Sequence, residues 1–227
     1  MKVWTIKLSG RVFDNFELVK RYVSIFRTLL TAVPDLKLVI VTGGGEIARK
    51  YVSIIRELAR NESLADIAGI LVSRLNAQVL ISGLEEAYPK PPETVSEFLQ
   101  AFSTYRVVVC GGLQPGQSTA TVALLLAEVS RSRDVVFCSN VDAVYTDDPR
   151  KNPNARKLEK ITLSELEEIL RRTSDIRAGT YQLIDQWAIN IARRAGIRIY
   201  ITDCRRPELV QEIVLRGTGY GTLVVPD

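Results

Sequence analysis

A lysine at the end of the first predicted strand could stabilise a phosphoryl group. Lys7 is followed closely by Ser9 and Gly10. The lysine would place an ammonium group beside backbone N–H groups, and this combination stabilises the charge on a phosphoryl group during its transfer. The same residues are also typical of a strand end with one solvated lysine, so the stretch predicts a phosphoryl site only in combination with other motifs.

Three consecutive glycines follow the second predicted strand and precede a predicted helix. They are Gly43, Gly44 and Gly45, and Arg49 lies one turn into the helix. Glycines let a ligand approach the backbone, and a helix N-terminus offers free N–H groups. Arg49 can add a bidentate contact to a phosphate. The alternative is a tight turn, which rarely needs three glycines, so the loop predicts an anion site. It is not a P-loop, because no Gly-Lys-Ser/Thr ends it.

Two further loops follow predicted strands and carry polar groups. The loop 111–119 ends in Ser118 and Thr119, where a helix is predicted to begin. Their hydroxyl groups can cap that helix, contact a ligand, or do both. The loop 139–149 is polar and contains one aromatic residue, Tyr145, which suits a purine and its ribose. An ordinary surface loop is the alternative for this second stretch.

The elements that must position these loops alternate between strands and helices. This alternation predicts an α/β fold, a three-layer αβα sandwich with a largely parallel central sheet. Ligands of such sheets bind beyond the carboxyl ends of the strands, where the four loops are expected to meet. The predicted strands are 3–8, 36–41, 79–81, 105–110, 134–138, 197–202 and 223–225. The predicted helices are 14–29, 46 to about 60, 63–76, 93–102, 118–129, a charged helix that starts at 162, 181–195 and 207–215, with 147–157 as a loop.

Two of the predicted helices begin with a capping-box pattern. Asp14 and Glu17 form one pair, and Thr162 and Glu165 form the other. In such a box, each side chain accepts a hydrogen bond from the backbone N–H of the other residue. Both pairs therefore predict a helix start.

The composition limits the types of chemistry. The chain contains no histidine, so it lacks the commonest general base and the commonest transition-metal ligand. Its three cysteines, Cys110, Cys138 and Cys204, are far apart and predict buried free thiols. The formal net charge of +4 fits attraction of anionic substrates. No basic patch is interleaved with aromatic residues, so nucleic acid is not an expected partner.

The sequence also indicates where the protein resides. No apolar run approaches the roughly 18 to 20 residues that span a bilayer. The first nine residues lack the pattern of a signal peptide. We therefore expect a cytoplasmic protein with no membrane partner.

Together, these motifs resemble the amino acid kinase superfamily and, within it, the archaeal-type UMP kinases. The resemblance implies transfer of the ATP γ-phosphate to UMP, giving UDP, in pyrimidine nucleotide biosynthesis. It also implies Mg²⁺ held mainly by the phosphates, no metal ligand from the protein, and a homo-hexamer. It further implies a single domain, 1–227, with a UMP lobe, 1–134, and an ATP lobe, 135–227. The matching segments follow the family order: 7–10, 43–49, 66–77, 111–119, 140–149 and 179–185.

The resemblance also implies roles for individual residues. Those that would act on the transferring phosphate are Lys7, Ser9 and Gly10. Those that would bind UMP are Gly44, Gly45, Arg49, Asp66, Gly112, Gln114, Gln117, Ser118 and Thr119, with Asp66 facing the ribose. Those that would bind ATP are Lys7, Gly10, Ser139, Asn140, Tyr145 and Asp148.

The chain departs from the family pattern at three positions. Ala120 stands where many members carry an acidic residue, which is thought to orient the catalytic lysine. Ser139 and Ala143 replace a more usual Thr and Gly. An acceptor phosphate has its second pKa at about 6, so UMP needs no general base. The resembling isopentenyl phosphate kinases rely on a histidine and fit this chain less well.

Other functions remain open at this point. The first is a kinase of another anionic acceptor, such as a carbamate or a carboxylate. The second is a non-catalytic nucleotide-binding or oxyanion-storage protein on the same fold, which Ala120 would permit. A Rossmann dehydrogenase fits less well, because Gly43 to Gly45 lack the G-x-G-x-x-G spacing.

Overall fold

The backbone of this chain forms a mixed sheet with helices on both faces. The computed structural model describes residues 2–147, 149, 152–174 and 184–227. Within those residues the strands are β1 Lys2–Leu8, β2 Leu36–Thr42, β3 Val107–Cys110, β4 Asp134–Ser139, β5 Val144–Tyr145, β6 Lys157–Leu158, β7 Lys160–Thr162, β8 Arg198–Asp203 and β9 Thr222–Val225. The helices are α1 Phe16–Ala32, α2 Gly45–Ala59, α3 Glu62–Ile81, α4 Val95–Thr104, α5 Thr119–Val129, α6 Leu163–Ser174, α7 Gln186–Ala195 and α8 Glu208–Arg216, with a short 3-10 helix at Gly10–Asp14.

The main sheet is parallel except at one pair of strands. Among the described residues its strand order is β3-β2-β1-β4-β8-β9-β7, and only β8 and β9 pair antiparallel. The strands β5 and β6 form a separate antiparallel ribbon. Since β1 to β4 run parallel, the loops that follow them all leave the sheet at the same edge.

Helices cover both faces of the sheet and bury it. Residues of α1 and α8, among them Phe26 and Ile213, pack on one face with Ile6 and Leu38. The helices α4, α5, α6 and α7 pack on the other face, where Phe137 is fully buried. Strands covered on both faces are almost continuously apolar, as the sequence of β2 is. The three-layer αβα fold predicted from the sequence is confirmed.

The predicted strand 79–81 is wrong, because these residues form the last turn of α3. The helix buries Ser73, Ala77 and Leu80, which are spaced by four and three residues and so lie on one face. A short apolar run fits a strand or a buried helix equally well from its pattern alone. No glycine or proline interrupts the chain there, and the helix continues from the predicted 63–76.

One capping box was predicted correctly and the other was not. Glu165 N donates to Thr162 Oγ1 at 3.2 Å, and Thr162 N donates to Glu165 Oε2 at 2.7 Å. In contrast, α1 is capped by Asn15, whose Oδ1 accepts from Leu18 N at 3.2 Å. Asn and Asp are equally good caps, and the 3-10 helix shifts the start of α1 by two residues.

Other differences concern short or terminal elements. Part of the predicted loop 147–157 belongs to the ribbon, since Lys157 pairs with Tyr145. The predicted helix 181–195 begins only at Gln186, because Asp185 is its N-cap; its first three predicted residues lie outside the described part.

By length and composition alone, α3 could cross a membrane. Here it packs on α2 and contacts β2 and β3, so it is a layer of the fold.

Candidate active site

The loops at the carboxyl ends of the strands enclose a cavity of about 380 Å³. The loops after β1, β2 and β4 contribute to it, as do the first turn of α5 and the residues just before α7. Nine residues predicted to form the site line this cavity: Lys7, Ser9, Gly10, Gly44, Gly45, Arg49, Ser118, Thr119 and Asn140. The other lining residues are Leu8, Gly43, Ala48, Val52, Ala120, Ile184 and Asp185.

The two glycine loops on the β1 and β2 side touch each other through their backbones. A Cβ atom at Gly10 would overlap the backbone nitrogen of Gly45. A Cβ atom at Gly45 would lie 2.6 Å from the carbonyl oxygen of Gly10, and Gly45 also has a φ of +72°. Glycine is therefore required at both positions, by space at Gly10 and by space and conformation at Gly45.

The N-terminus of α2 is capped by a residue from the other loop. Gly44, the residue before α2, has no side chain to cap it. Instead, Asp14 Oδ1 accepts a hydrogen bond from Glu46 N at 3.1 Å. One N–H group at this helix end is thus occupied by a carboxylate, and Gly44 and Gly45 line the cavity.

Lys7 carries an ammonium group that has no hydrogen bond or ion pair with the described residues. Its Nζ lies 5.0 Å from the ring centroid of Phe137. Burial lowers the pKa of Lys7 below its ordinary value. The nearby Cys138 does not neutralise it, because burial raises the pKa of the Cys138 thiol to about 12. All three cysteines are free and buried, as predicted.

Arg49 supplies the second cation of the cavity. It is exposed, and neither a hydrogen bond nor an ion pair joins its side chain to the described residues. Its neighbours on α2, Glu46 and Lys50, pair with each other at 2.8 Å. Lys7 and Arg49 together give the cavity a positive charge that suits an anion.

Asp185, a residue given no role from the sequence, organises the start of α5. It accepts hydrogen bonds from Thr121 Oγ1 at 2.8 Å, from the Ser118 hydroxyl, and from Ala188 N at 3.0 Å. The Ser118 oxygen in turn accepts from Thr121 N at 3.0 Å. The single hydroxyl proton of Ser118 is therefore engaged. The hydroxyl of Thr119 has no hydrogen bond to the described residues and is open to the cavity.

The cavity has no ready-made metal cage. Within the described part of the chain, no group of three His, Cys, Asp or Glu side chains could hold a metal ion. Asp185 is the one carboxylate lining the cavity there, and hydrogen bonds already occupy it.

Polar side chains of α3 form hydrogen bonds to the backbone of the two glycine-containing loops that follow β2 and β3. Asp66 Oδ2 accepts from Gly116 N at 2.9 Å, and Asn76 donates to the carbonyl of Gly43 at 2.8 Å. Arg74 donates to the carbonyls of Gly112 at 3.0 Å and Leu113 at 3.2 Å. Arg74 and Asn76 lie in the matching segment 66–77 but received no role from the sequence. The signal was present, since both are polar residues in the more apolar part of the helix.

Four of the residues predicted to bind UMP lie away from the cavity lining. They are Asp66, Gly112, Gln114 and Gln117. The side chain of Gln114 is exposed. The amide oxygen of Gln117 is buried and has no partner among the described residues. A buried acceptor without a partner costs stability.

The residues predicted to bind ATP divide into two groups. Asn140 lines the cavity, and its Oδ1 accepts from Ser9 Oγ at 3.0 Å. Ser139 and Tyr145 do not line it; the Ser139 hydroxyl is buried without a partner in the described part, and the Tyr145 hydroxyl donates to Asp142 at 3.2 Å. Asp148 lies outside the described residues.

Comparisons with known proteins show which family the chain belongs to. The model of the "Amino acid kinase family" matches residues 2–203. The uridylate kinase of Pyrobaculum calidifontis is 49% identical over 220 residues, which cover 96% of this chain and 98% of that protein. The uridylate kinase of Sulfolobus acidocaldarius is 41% identical over 226 residues, covering 98% and 99% of the two chains.

Solved structures show the same relation. A crystal structure of uridylate kinase from Archaeoglobus fulgidus has a TM-score of 0.87 and 32% identity, covering 99% of this chain and 100% of that one. The aspartate kinase of Synechocystis has a TM-score of 0.70 and 18% identity, covering 99% of this chain and 40% of that one. At that identity, the second likeness concerns the fold alone.

Proposed function

This chain belongs to the amino acid kinase family, and from that premise we propose that it is a UMP kinase, which transfers the γ-phosphate of ATP to UMP. One observation carries the proposal: Lys7 and Arg49, two cations with no hydrogen bond or ion pair to the described residues, line one cavity beside touching glycine loops. The choice of UMP as acceptor is supported by relatives named uridylate kinase that match nearly the whole chain.

The acceptor phosphate binds at the N-terminus of α2. Arg49 makes a bidentate contact to it, and the backbone N–H groups of Gly44 and Gly45 donate to it. Asp66 and the loop that it holds through Gly116 face the nucleoside. The further residues of that loop which contact UMP are Gly112, Gln114, Gln117, Ser118 and Thr119.

The transferring phosphate lies between Lys7 and the start of α5. Lys7 and the backbone at Ser9 and Gly10 stabilise the charge that develops in line between donor and acceptor. Because the Ser118 proton is held by Asp185, the side chain of Thr119 is the hydroxyl that donates to phosphate, and Ser118 contributes its backbone N–H.

No residue has to remove a proton from the acceptor. The second pKa of a phosphate monoester is about 6, so UMP is largely dianionic near pH 7. The absence of histidine and the presence of Ala120 are compatible with such an acceptor. Mg²⁺, held mainly by the phosphates, supplies further charge neutralisation when it is bound.

The nucleotide that donates the phosphate occupies the side of the cavity formed by Lys7, Gly10 and Asn140. Ser139, Tyr145 and Asp148 are assigned to ATP as well, and the first two lie beyond the lining of this cavity. On this proposal a single domain, 1–227, has an acceptor lobe, 1–134, and an ATP lobe, 135–227. The reaction belongs to pyrimidine nucleotide biosynthesis in the cytoplasm.

An apolar face on α2 and α3 supports self-association as a homo-hexamer. Nine large apolar side chains there are each between 42% and 79% exposed. A large exposed apolar patch of this kind marks an interaction site. A second copy of the chain offers an equally apolar surface. The residues of this α2–α3 face are Ile47, Tyr51, Ile54, Leu58, Leu64, Ile67, Leu71, Leu75 and Val79.

The decisive experiment measures ADP release from MgATP by the purified protein, with each acceptor offered separately. The acceptors are UMP, CMP, dUMP, carbamate, glutamate and aspartate. We expect strong turnover with UMP. Turnover with only another acceptor would replace UMP by that acceptor, and ATP binding without any turnover would favour the storage function that Ala120 permits.

A further inference from the structure

The last strand begins beside the proposed ATP loop, and its first residues have no role in the reaction described above. Gly221 is buried, and its N–H donates to the carbonyl of Ile201 at 2.8 Å, which fixes the backbone to β8. Gly217 and Gly219 have φ values of +68° and +85°, where glycine is favoured. The φ of Gly221 lies outside that region. Glycine is therefore required at 221 by the lack of space for a side chain, and not by the backbone conformation.

That space is occupied by the backbone of the proposed ATP loop. A Cβ atom at Gly221 would overlap the carbonyl oxygen of Asp142 and lie 2.6 Å from its carbonyl carbon. It would also lie 3.0 Å from the Cβ of Ala143, whereas ordinary contact begins at 3.4 Å. Any side chain at 221 must push away the backbone between Asn140 and Tyr145.

The next residue fastens the same region to the sheet. Thr222 is fully buried. Its Oγ1 accepts from Val144 N at 2.8 Å and donates to the carbonyl of Leu158 at 2.7 Å. One hydroxyl group thus holds both strands of the ribbon, β5 and β6.

We propose that Gly221 and Thr222 are positioning residues for the ATP site. Gly221 lets the loop 140–145 lie directly against the start of β9, and Thr222 fixes the ribbon that follows it. The inference rests on the proposed function, in which this loop binds ATP. Neither residue contacts the UMP side, whose loops are held by α3 through Asp66, Arg74 and Asn76.

The test compares Gly221→Ala, Thr222→Val and Thr222→Ser with the unmodified protein. The KM values for MgATP and for UMP are measured separately, and the Kd for ATP is measured by calorimetry. We expect the alanine and valine variants to raise the KM and Kd for ATP about tenfold or more, because a displacement of about 1 Å is costly in a binding site. The KM for UMP should stay within about twofold. Thr222→Ser keeps the hydroxyl and should bind ATP normally.

Gly217→Ala is the matched control for strain in the same segment. It places a Cβ at a positive φ, but that atom meets no described residue within 4 Å. We expect a lower Tm with both KM values unchanged. The inference would be overturned if Gly221→Ala raised the KM values for ATP and UMP equally. It would also be overturned if Gly217→Ala raised the KM for ATP as much as Gly221→Ala does.

The two proposals can fail separately. If the unmodified protein phosphorylates UMP while Gly221→Ala and Thr222→Val both bind ATP normally, only the positioning role is wrong. If the unmodified protein binds no ATP, the positioning role and the proposed function both fall.

Discussion

Lys7 combines two properties that affect stability and activity in opposite directions. Its ammonium group is desolvated, which lowers its pKa, and it has no hydrogen bond or ion pair with the described residues. A charge in this position costs stability in the empty protein, and on the proposed function a bound phosphate would pair with it. Lys7 is thus expected to be a residue that lowers the stability of the empty protein while it serves the reaction.

Replacing Lys7 by Met should separate these two effects. We expect kcat to fall at least ~100-fold, because a charge-stabilising donor is lost. The Tm at pH 7 should stay equal or rise, since the desolvated charge is gone. Between the lowered pKa of Lys7 and its unfolded value of 10.5, the unfolded state binds more protons, so the unmodified protein gains stability relative to the variant as pH rises.

Lys37→Met is the control for Lys7. Lys37 also lies on a central strand, with its Nζ 4.8 Å from the ring centroid of Phe102, but it does not line the cavity. Its replacement should leave kcat unchanged. Near-normal turnover in Lys7→Met would refute the catalytic role of Lys7.

Arg49 is expected to act on the acceptor alone. In Arg49→Ala we expect the KM for UMP to rise about tenfold to a hundredfold, the value of a charged hydrogen bond, with a much smaller change for ATP. Arg56→Ala changes the same helix, where Arg56 pairs with Glu62 at 2.7 Å, and should leave both KM values unchanged. Steady-state kinetics with each substrate varied in turn decide between the two outcomes.

The two hydroxyl groups at the start of α5 should have different roles. We expect that of Thr119 to contact the ligand and that of Ser118 to cap the helix. Thr119→Val should lower kcat/KM about tenfold or more, because its hydroxyl is the one open to the cavity. Ser118→Ala should lower Tm instead, since it removes the cap of α5 and a donor to Asp185. The assignment is reversed if Ser118→Ala loses turnover and Thr119→Val does not.

At the scale of elements, the N-terminus of α2 depends on a residue outside the helix. Asp14→Ala should lower the free energy of unfolding by about 0.5–2 kcal/mol and also raise the KM for UMP, because the proposed acceptor loop leads into α2. Asn61→Ala removes an equivalent cap from α3, where Asn61 Oδ1 accepts from Leu64 N at 3.0 Å. Thermal unfolding should show the same loss in both variants. A normal KM in Asp14→Ala would contradict the link to UMP.

Elements whose signals are local in sequence could be predicted, and those that depend on distant partners could not. The capping pair Thr162 and Glu165 is three residues apart, and both bonds form as expected. The residues after strand ends were also identifiable, because a parallel sheet brings those ends together. By contrast, Arg74 meets Gly112 38 residues away. Nothing in a local pattern specifies such a contact.

The same limit explains the errors in secondary structure. The strands β5 and β6 have two residues each, too few to show an alternating pattern. Their position depends on Thr222, far along the chain, which forms a hydrogen bond to each of them. The residues 79–81 were assigned to a strand, although Ala77 and Leu80 share the buried face of a continuous helix.

At the scale of the whole molecule, the α2–α3 face predicts the assembly. Charging this face with Leu71→Lys or Ile54→Lys should produce a smaller species, because the face would lose its apolar match to a second copy. Light scattering coupled to size-exclusion chromatography measures the mass. Leu215→Lys, which charges a residue on α8 that is 40% exposed, should leave the mass unchanged. A native protein that is already monomeric would contradict the proposed assembly.

The backbone contact between Gly10 and Gly45 has a consequence for how two substrates share the site. Since the two loops touch without intervening side chains, a shift in one must carry the other. On the proposed function, binding of either nucleotide will therefore shift the loop that contacts the other nucleotide. The affinity for one nucleotide will then depend on whether the other is bound.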